Sequence, residues 1–130
     1  MPKSGDHPTR VLVVDDNYPS AMTLTWAMEE HGHEVRTAYN GREAVDMAKT
    51  FRPEVVLLDV GMPVMNGLEA CKALREQPET EDALIIAQTA WGDDVMRGRT
   101  QDAGFDVHLV KPVDLDEVER LVAGAHKVET

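Results

Sequence analysis

Acidic side chains follow two apolar segments of this chain, and a threonine and a lysine follow two other apolar segments. VLVVDDN runs from four aliphatic residues into Asp15 and Asp16, and VVLLD ends at Asp59. Thr89 follows ALIIAQ, and Lys111 follows VHLV. Clustered carboxylates raise one another's pKa unless a cation lies among them, and Mg²⁺ binds carboxylates together with phosphate oxygens. These residue types therefore predict magnesium-dependent chemistry in which Asp59 attacks phosphorus and Lys111 neutralises phosphoryl oxygens.

The elements that must position these side chains alternate between strand and helix patterns. The predicted strands are 11–14, 33–38, 54–58, 83–87 and 107–110, and the predicted helices are 17–31, 40–49, 68–76, 93–103 and 114–123. Strands this apolar are buried on both faces, so the pattern predicts an α/β fold with a doubly wound, five-stranded parallel sheet. Binding sites in such sheets form outside the carboxyl ends of the strands, where the acids, the threonine and the lysine would meet.

The length, net charge, apolar runs and cysteine content of the chain limit the functions that it can have. The 130 residues suffice for one domain, predicted at 10–124 between a flexible leader, 1–9, and a flexible tail, 125–130. A net charge of −11 with scattered Lys and Arg argues against direct binding of nucleic acid. No apolar run reaches the roughly 20 residues of a membrane helix, and the start of the chain lacks a secretory signal, so we expect a cytoplasmic protein. Cys71 is the single cysteine and is predicted to be a buried structural thiol.

From about residue 10 to 123 the sequence resembles the receiver domains of bacterial two-component response regulators. The resemblance rests on VLVVDDN, on VVLLDVGMPVMNG, on the Thr89-Ala90 pair and on LVKPVD. It implies a flavodoxin-like (βα)5 fold with strand order 2-1-3-4-5. It also implies a histidine kinase or histidine phosphotransfer protein as phosphodonor and a downstream protein effector. Whether phosphorylation causes dimerisation stays open.

The resemblance assigns a role to each residue of the acidic site. Asp59 would be the phosphoacceptor and Thr89 the switch hydroxyl. Lys111 would pair with the phosphate and precede a cis peptide bond at Pro112. The ligands of Mg²⁺, for which Mn²⁺ can substitute, would be the carboxylates of Asp15, Asp16 and Asp59 and the backbone carbonyl of Gly61.

Two positions depart from the usual receiver pattern or flank its site. His108 stands where the family often has Tyr or Phe as a rotamer switch coupled to the threonine. It is either a half-exposed strand histidine without a signalling role or a switch whose ordinary pKa of about 6.5 makes the output pH-sensitive. Trp91, two residues after Thr89, is bulky enough to cover the site. The segment GFDVHLVKPVD resembles the receivers of hybrid sensor kinases, so a stand-alone regulator and a module of such a kinase both stay open.

The first predicted helix carries a candidate docking surface. At 100° per residue, the face expected against the sheet comprises Ser20, Leu24, Ala27, Met28 and His31. Met22 and Trp26 lie on the opposite side, where apolar anchors suit a protein interface. In the family that the sequence resembles, the first helix often docks the phosphodonor, so the resemblance implies that these two residues contact it.

Two other function classes compete with a phosphoacceptor domain, which modifies only itself and is not an enzyme in the usual sense. A pseudo-receiver would be an interaction module that works without phosphorylation, yet none of the expected acids, the threonine or the lysine is missing. A magnesium-dependent phosphohydrolase would commonly carry Asp-x-Asp after the first strand, whereas the acids there are adjacent and Asp59 follows the third strand.

Overall fold

Strands and helices alternate along the chain in the predicted order. In the computed structural model, which describes residues 8–61, 65–90 and 92–125, the strands are β1 (Arg10–Val14), β2 (Glu34–Ala38), β3 (Val55–Asp59), β4 (Leu84–Thr89) and β5 (Val107–Val110). The helices are α1 (Tyr18–Glu30), α2 (Gly41–Phe51), α3 (Gly67–Glu76), α4 (Asp94–Ala103) and α5 (Leu115–Gly124).

The sheet has the order β2-β1-β3-β4-β5 with every neighbouring pair parallel, which confirms the predicted fold class. Every residue of β3 is buried, as expected for a central strand covered on both faces. The edge strands β2 and β5 are partly exposed. The strand order reverses between β1 and β3, so the crevice at their carboxyl ends is where this fold binds ligands.

Asparagine and aspartate side chains start the helices by accepting hydrogen bonds from otherwise unpaired backbone N–H groups. Asn17 accepts from the amide of Ser20 at the start of α1, and Asn40 accepts from the amide of Glu43 at the start of α2. Asn66 forms a reciprocal capping box with Glu69, so α3 begins at Gly67, one residue earlier than predicted. Helix α2 extends two residues past its predicted end at position 49.

Each face of the sheet is covered by its own helices. Helices α2, α3 and α4 pack small and aliphatic residues against one face, and α1 and α5 cover the other. Cys71 lies in the first of these cores, where burial raises the pKa of its thiol to about 11. A thiol in that environment stays protonated near neutral pH, as expected for a structural cysteine.

The inward face of α1 differs from the prediction. The structure buries Ala21, Leu24, Thr25 and Met28, whereas Ser20 and His31 are exposed. The prediction was right for Leu24 and Met28 but left out Thr25, which is polar and yet buried. The hydroxyl of Thr25 lies 2.9 Å from that of Thr37, and this hydrogen bond allows a polar side chain to be buried there.

Candidate functional site

Three carboxylates converge where β1 and β3 end. Oxygens of Asp15, Asp16 and Asp59 lie within 4.8 Å of one another. Asp15 is fully buried, Asp59 is 7% exposed and Asp16 is open to solvent. The turn into α1 holds Asp15 in place, because its amide donates to the carbonyl of Ala38 (3.1 Å) and its Oδ1 accepts from the amide of Asn17 (2.9 Å).

Lys111 brings the positive charge to this cluster from the far edge of the sheet. Its Nζ lies 3.4 Å from Asp15 Oδ2 and 3.4 Å from Asp59 Oδ1. Its backbone amide donates to the carbonyl of Thr89 (2.8 Å), which extends the β4–β5 ladder beyond the strand end. The peptide bond between Lys111 and Pro112 is cis.

The electrostatics of Asp59 leave negative charge to be compensated. Burial raises the pKa of Asp59, and although Lys111 opposes this, the neighbouring Asp15 raises the pKa further. The amide of Gly61 donates to Asp59 Oδ1 (3.2 Å) and favours the ionised form. Three carboxylates beside one ammonium form an oxygen donor set that suits a hard divalent cation, so these residues fit Mg²⁺.

The backbone around Asp59 is packed so closely that the next helix must begin with glycine. A Cβ on Gly67 would lie 2.5 Å from the carbonyl oxygen of Asp59 and 2.6 Å from Cα of Val60. The amide of Gly67 also donates to the carbonyl of Val60 (3.0 Å). Our sequence interpretation did not include Gly67 in the site; its available signal was a glycine directly after the capping Asn66.

A cleft of about 410 Å³ opens beside Asp59. Thr89, at the buried end of β4, and Gly61 both line it together with Lys111. The other lining residues are Val60, Asn66, Leu68, Ala90, Met96 and Arg99. Met96 and Arg99 were not predicted, because nothing in the sequence shows how α4 lies over the edge of the sheet. Residues 62–64 and Trp91 lie outside the described residues.

His108 is half-buried on β5 and directed towards α4. Its Nδ1 lies 3.0 Å from the hydroxyl of Thr100, which is buried and donates to the carbonyl of Arg97 (3.0 Å). The side chain thus links β5 to α4, and its role in signalling stays a prediction.

The exposed side of α1 carries more aromatic surface than the sequence suggested. Trp26 is 62% exposed, whereas Met22 is only partly exposed and its sulfur lies 3.8 Å from the hydroxyl of Tyr39. Tyr18 is 63% exposed and stacks on Tyr39, with ring centroids 5.7 Å apart. We call Tyr18, Met22, Trp26 and Tyr39 the α1 aromatic patch. Neither tyrosine was predicted: Tyr18 lies one helical turn before Met22 on α1, whereas Tyr39 follows β2 and joins the patch only through the fold.

The family model described as the response regulator receiver domain matches residues 11–123. The chain therefore belongs to the response regulator receiver domain family, and it is a receiver domain of two-component signalling. Such domains accept phosphoryl groups, bind Mg²⁺ through an acidic pocket, and interact with histidine kinases or phosphotransfer proteins and with downstream effectors. Within the part of the chain that the structure describes, no helix is long and apolar enough to cross a membrane.

Individual proteins show the same similarity. The chain is 40% identical over 111 residues to response regulator MprA of Mycolicibacterium vanbaalenii, covering 85% of this chain but 47% of MprA, so it spans about half the length of that relative. It is 34% identical to protein PilH of Pseudomonas aeruginosa, covering 88% of this chain and 98% of PilH. Chemotaxis protein CheY4 of Vibrio cholerae has a similar structure, with a TM-score of 0.86, 30% identity and coverage of 92% and 99%.

Proposed function

We propose that the chain accepts a phosphoryl group on Asp59 from the phosphohistidine of a histidine kinase or a histidine phosphotransfer protein. The observation that carries this proposal is the convergence of Asp15, Asp16 and Lys111 on Asp59 beside an open cleft. A carboxylate oxygen of Asp59 forms a bond to phosphorus as the bond from phosphorus to the histidine nitrogen breaks. The electron pair of that broken bond remains on the imidazole.

The chain's own residues divide the work of this transfer. The carboxylates of Asp15, Asp16 and Asp59 and the carbonyl of Gly61 would hold Mg²⁺ or Mn²⁺, which neutralises charge on the phosphoryl oxygens. The ammonium of Lys111 exchanges part of its contact with Asp59 for a phosphoryl oxygen. The hydroxyl of Thr89 donates to another phosphoryl oxygen, and because Thr89 ends β4, its movement carries the change into the sheet edge.

Intact-mass analysis with acetyl phosphate and Mg²⁺ tests the proposal. We expect the wild type to gain one phosphoryl group, EDTA to prevent the gain, and Asp59→Asn to show none. Asp46→Asn is the matched control, because Asp46 is an exposed aspartate of α2 whose one ion pair among the residues that the structure describes is a 4.0 Å contact with Lys49. Phosphate uptake that persists in Asp59→Asn, or that is absent from the wild type, would contradict the assignment and favour a pseudo-receiver.

We also propose that Met22 and Trp26, within the α1 aromatic patch, contact the phosphodonor. Tyr18 at the start of α1 follows Asp15 and Asp16 by only a few residues, so the patch extends away from the acidic edge along one helix. Trp26→Ala should slow transfer about tenfold from a phosphotransfer protein that phosphorylates the wild type, because truncating an aromatic anchor commonly costs over 1 kcal/mol. Acetyl phosphate should react unchanged. Val95→Ala, on exposed α4, is the control; an equal rate of protein-to-protein transfer in Trp26→Ala would refute the docking role.

The output surface is proposed on a different side of the molecule. Val95, Val110 and Leu115 are exposed apolar side chains on α4, β5 and α5. They would contact the effector or a second phosphorylated copy, and light scattering with and without beryllofluoride distinguishes these two.

A stand-alone regulator and a hybrid-kinase module both stay open, since the similar proteins include PilH, matched over 98% of its length, and a receiver of a Syntrophus aciditrophicus histidine kinase.

A further inference from the structure

Gln88 is a buried polar residue that the proposed chemistry does not yet use. It precedes Thr89 in β4, at a position inside the sheet where an aliphatic residue would continue the run of Leu84 to Ala87. Its side chain is 2% exposed, and its amide nitrogen has no hydrogen-bond partner among the described residues. Buried polar groups are nearly always paired, so an unpaired one calls for a functional explanation.

The register of the sheet places Gln88 level with the phosphoacceptor. Its Cα pairs with Asp59 on one side and with Leu109 on the other. Registered residues on parallel strands project to the same face, so Gln88 shares the face of Asp59. The backbone carbonyl of Gln88 accepts from the amide of Val60 (3.0 Å), which ties β4 directly to the turn that carries the site.

The lysine of the site crosses over this position. Strands lie about 4.8 Å apart, so β5 and β3 are separated by about 10 Å with β4 between them. Because Lys111 follows β5 and its ammonium reaches Asp59 at the end of β3, its aliphatic stem passes over the end of β4. Gln88 therefore lies beneath the two groups whose partners change when Asp59 becomes phosphorylated.

We propose that Gln88 is a positioning residue of the phosphoacceptor site. Its side-chain amide donates a hydrogen bond to the side-chain carbonyl oxygen of Asp59 once that side chain carries a phosphoryl group. This inference depends on the proposed function. In the free domain Lys111 contacts Asp59 directly. Phosphorylation makes one carboxylate oxygen an ester oxygen and draws the ammonium towards phosphorus. The other side-chain oxygen then keeps the Gly61 amide but loses Lys111, and Gln88 takes the place of that lost donor. The donor is thus unpaired in the free state and paired in the phosphorylated state, so it favours the latter.

Gln88→Met tests the inference, because methionine has a similar length and no N–H group. Without an unpaired buried donor, the free variant should melt about 3–6 °C higher than the wild type. With Mg²⁺ present, its Kd for beryllofluoride, a phosphoryl mimic, should be about tenfold weaker, which corresponds to about 1.4 kcal/mol. Its affinity for Mg²⁺ alone should be unchanged. In the wild type, the side-chain amide resonance of Gln88 should shift on loading with beryllofluoride.

Matched variants separate this role from general packing. Ile86→Met changes a buried side chain of the same strand and the same face and leaves Gln88 in place; it should bind beryllofluoride as the wild type does. Gln88→Leu replaces Gln88→Met if the latter does not fold. Equal beryllofluoride affinity in the wild type and the Gln88 variants, equal weakening in Ile86→Met, or an unshifted amide resonance would overturn the inference while the proposed function stands. A wild type that binds no beryllofluoride and accepts no phosphate would overturn both.

Discussion

Charged side chains cluster at both the carboxyl edge and the amino edge of the sheet, but the two clusters differ in how completely their charges are paired. At the carboxyl edge, three carboxylates cluster, and the one ammonium pairs with two of them, at 3.4 Å each. At the amino edge, Arg75 donates to the carbonyls of Gly104, Glu81 and Ala83 and to Asp106 at 2.6 Å. The second network satisfies its guanidinium with well-placed acceptors, whereas the first leaves negative charge uncompensated.

The larger of the two cavities does not lie at the edge of the sheet that carries the acidic cluster. A groove of about 1120 Å³ opens at the amino edge, against about 410 Å³ beside Asp59. Arg75 and Asp106 at the larger groove are already paired with each other and with the backbone, so they are held by the fold. The smaller cleft lies beside carboxylates whose mutual repulsion is relieved when a cation binds. Unpaired like charge, and not volume, therefore identifies the functional edge.

The largest effect on stability is expected from breaking the amino-edge network with Arg75→Ala. The change leaves three backbone carbonyls without the Arg75 donor and removes the ion pair with Asp106, which still accepts from the amide of Ile85. We expect it to lower the free energy of unfolding by about 3 kcal/mol. Most of this loss comes from the carbonyls, because Asp106 is half exposed. Urea denaturation measures it. Binding of Mg²⁺ at the opposite edge should be unaffected under conditions where the variant is folded.

Arg42→Ala provides the control for Arg75, because Arg42 is an exposed arginine of α2. Its unfolding free energy should stay within about 0.5 kcal/mol of the wild type. If both variants lose the same stability, the amino-edge network is no more important than any surface arginine, and the contrast between the edges would not hold.

A smaller loss, with an effect on function, is expected at the carboxyl edge from Gly67→Ala. The added methyl group would meet the carbonyl of Asp59 at 2.5 Å, so the loop and the start of α3 must shift. We expect about 2 kcal/mol of destabilisation, within the usual range for overpacking, together with weaker binding of Mg²⁺. Urea denaturation and metal titration measure the two effects.

Gly98→Ala is the matched control within the same chain. Gly98 lies in the interior of α4, and a Cβ there would have nothing within 4 Å. Alanine should therefore stabilise the domain by roughly 0.5–1 kcal/mol through helix propensity. Unchanged Mg²⁺ affinity in Gly67→Ala would mean that the close approach to Asp59 serves packing alone.

A site residue could be predicted from the sequence when the pattern of its neighbours along the chain determines its position, and not when a partner on another element does. Asp59 and Thr89 end their strands, and Asp15 and Lys111 directly follow theirs. The apolar runs of these strands are clear in the sequence, so the local pattern was enough to place the four residues at one edge. The inward face of α1 was predicted only in part: Thr25 was left out, because the partner that allows its hydroxyl to be buried, Thr37, belongs to another element.

Residues whose role depends on helix orientation or strand register were not predictable from local pattern. Arg99 enters the cleft only because of the angle at which α4 lies over the sheet edge. The alignment of Gln88 with Asp59 follows from the β3–β4 register. A tight approach such as that of Gly67 likewise requires the two backbones to be placed in space before the need for glycine becomes visible.

The smallest effect, and one that depends on pH, is expected from Asp59→Asn in the metal-free domain. The folded state raises the pKa of Asp59 above its ordinary 3.8, first through burial and then through Asp15. A raised folded-state pKa means that the folded protein holds this proton more tightly than the unfolded chain. The resulting stability is fully present below pH 3.8 and is lost as the pH rises through the folded-state pKa. Ionised Asp59 is therefore a destabilising group at neutral pH, unlike the paired Asp106.

Thermal melts of Asp59→Asn and wild type across pH 4 to 8 measure this difference. The variant should melt higher than the wild type at pH 7.5, by less than the change in Gly67→Ala, and the difference should shrink as the pH falls towards 4. Saturating Mg²⁺ should reduce the gap at pH 7.5, because a cation that binds only the folded wild type stabilises it. Asp46→Asn should show neither effect. If Asp59→Asn instead melts lower than the wild type at neutral pH without metal, then Lys111 already compensates the three carboxylates, and the two edges of the sheet are electrostatically alike.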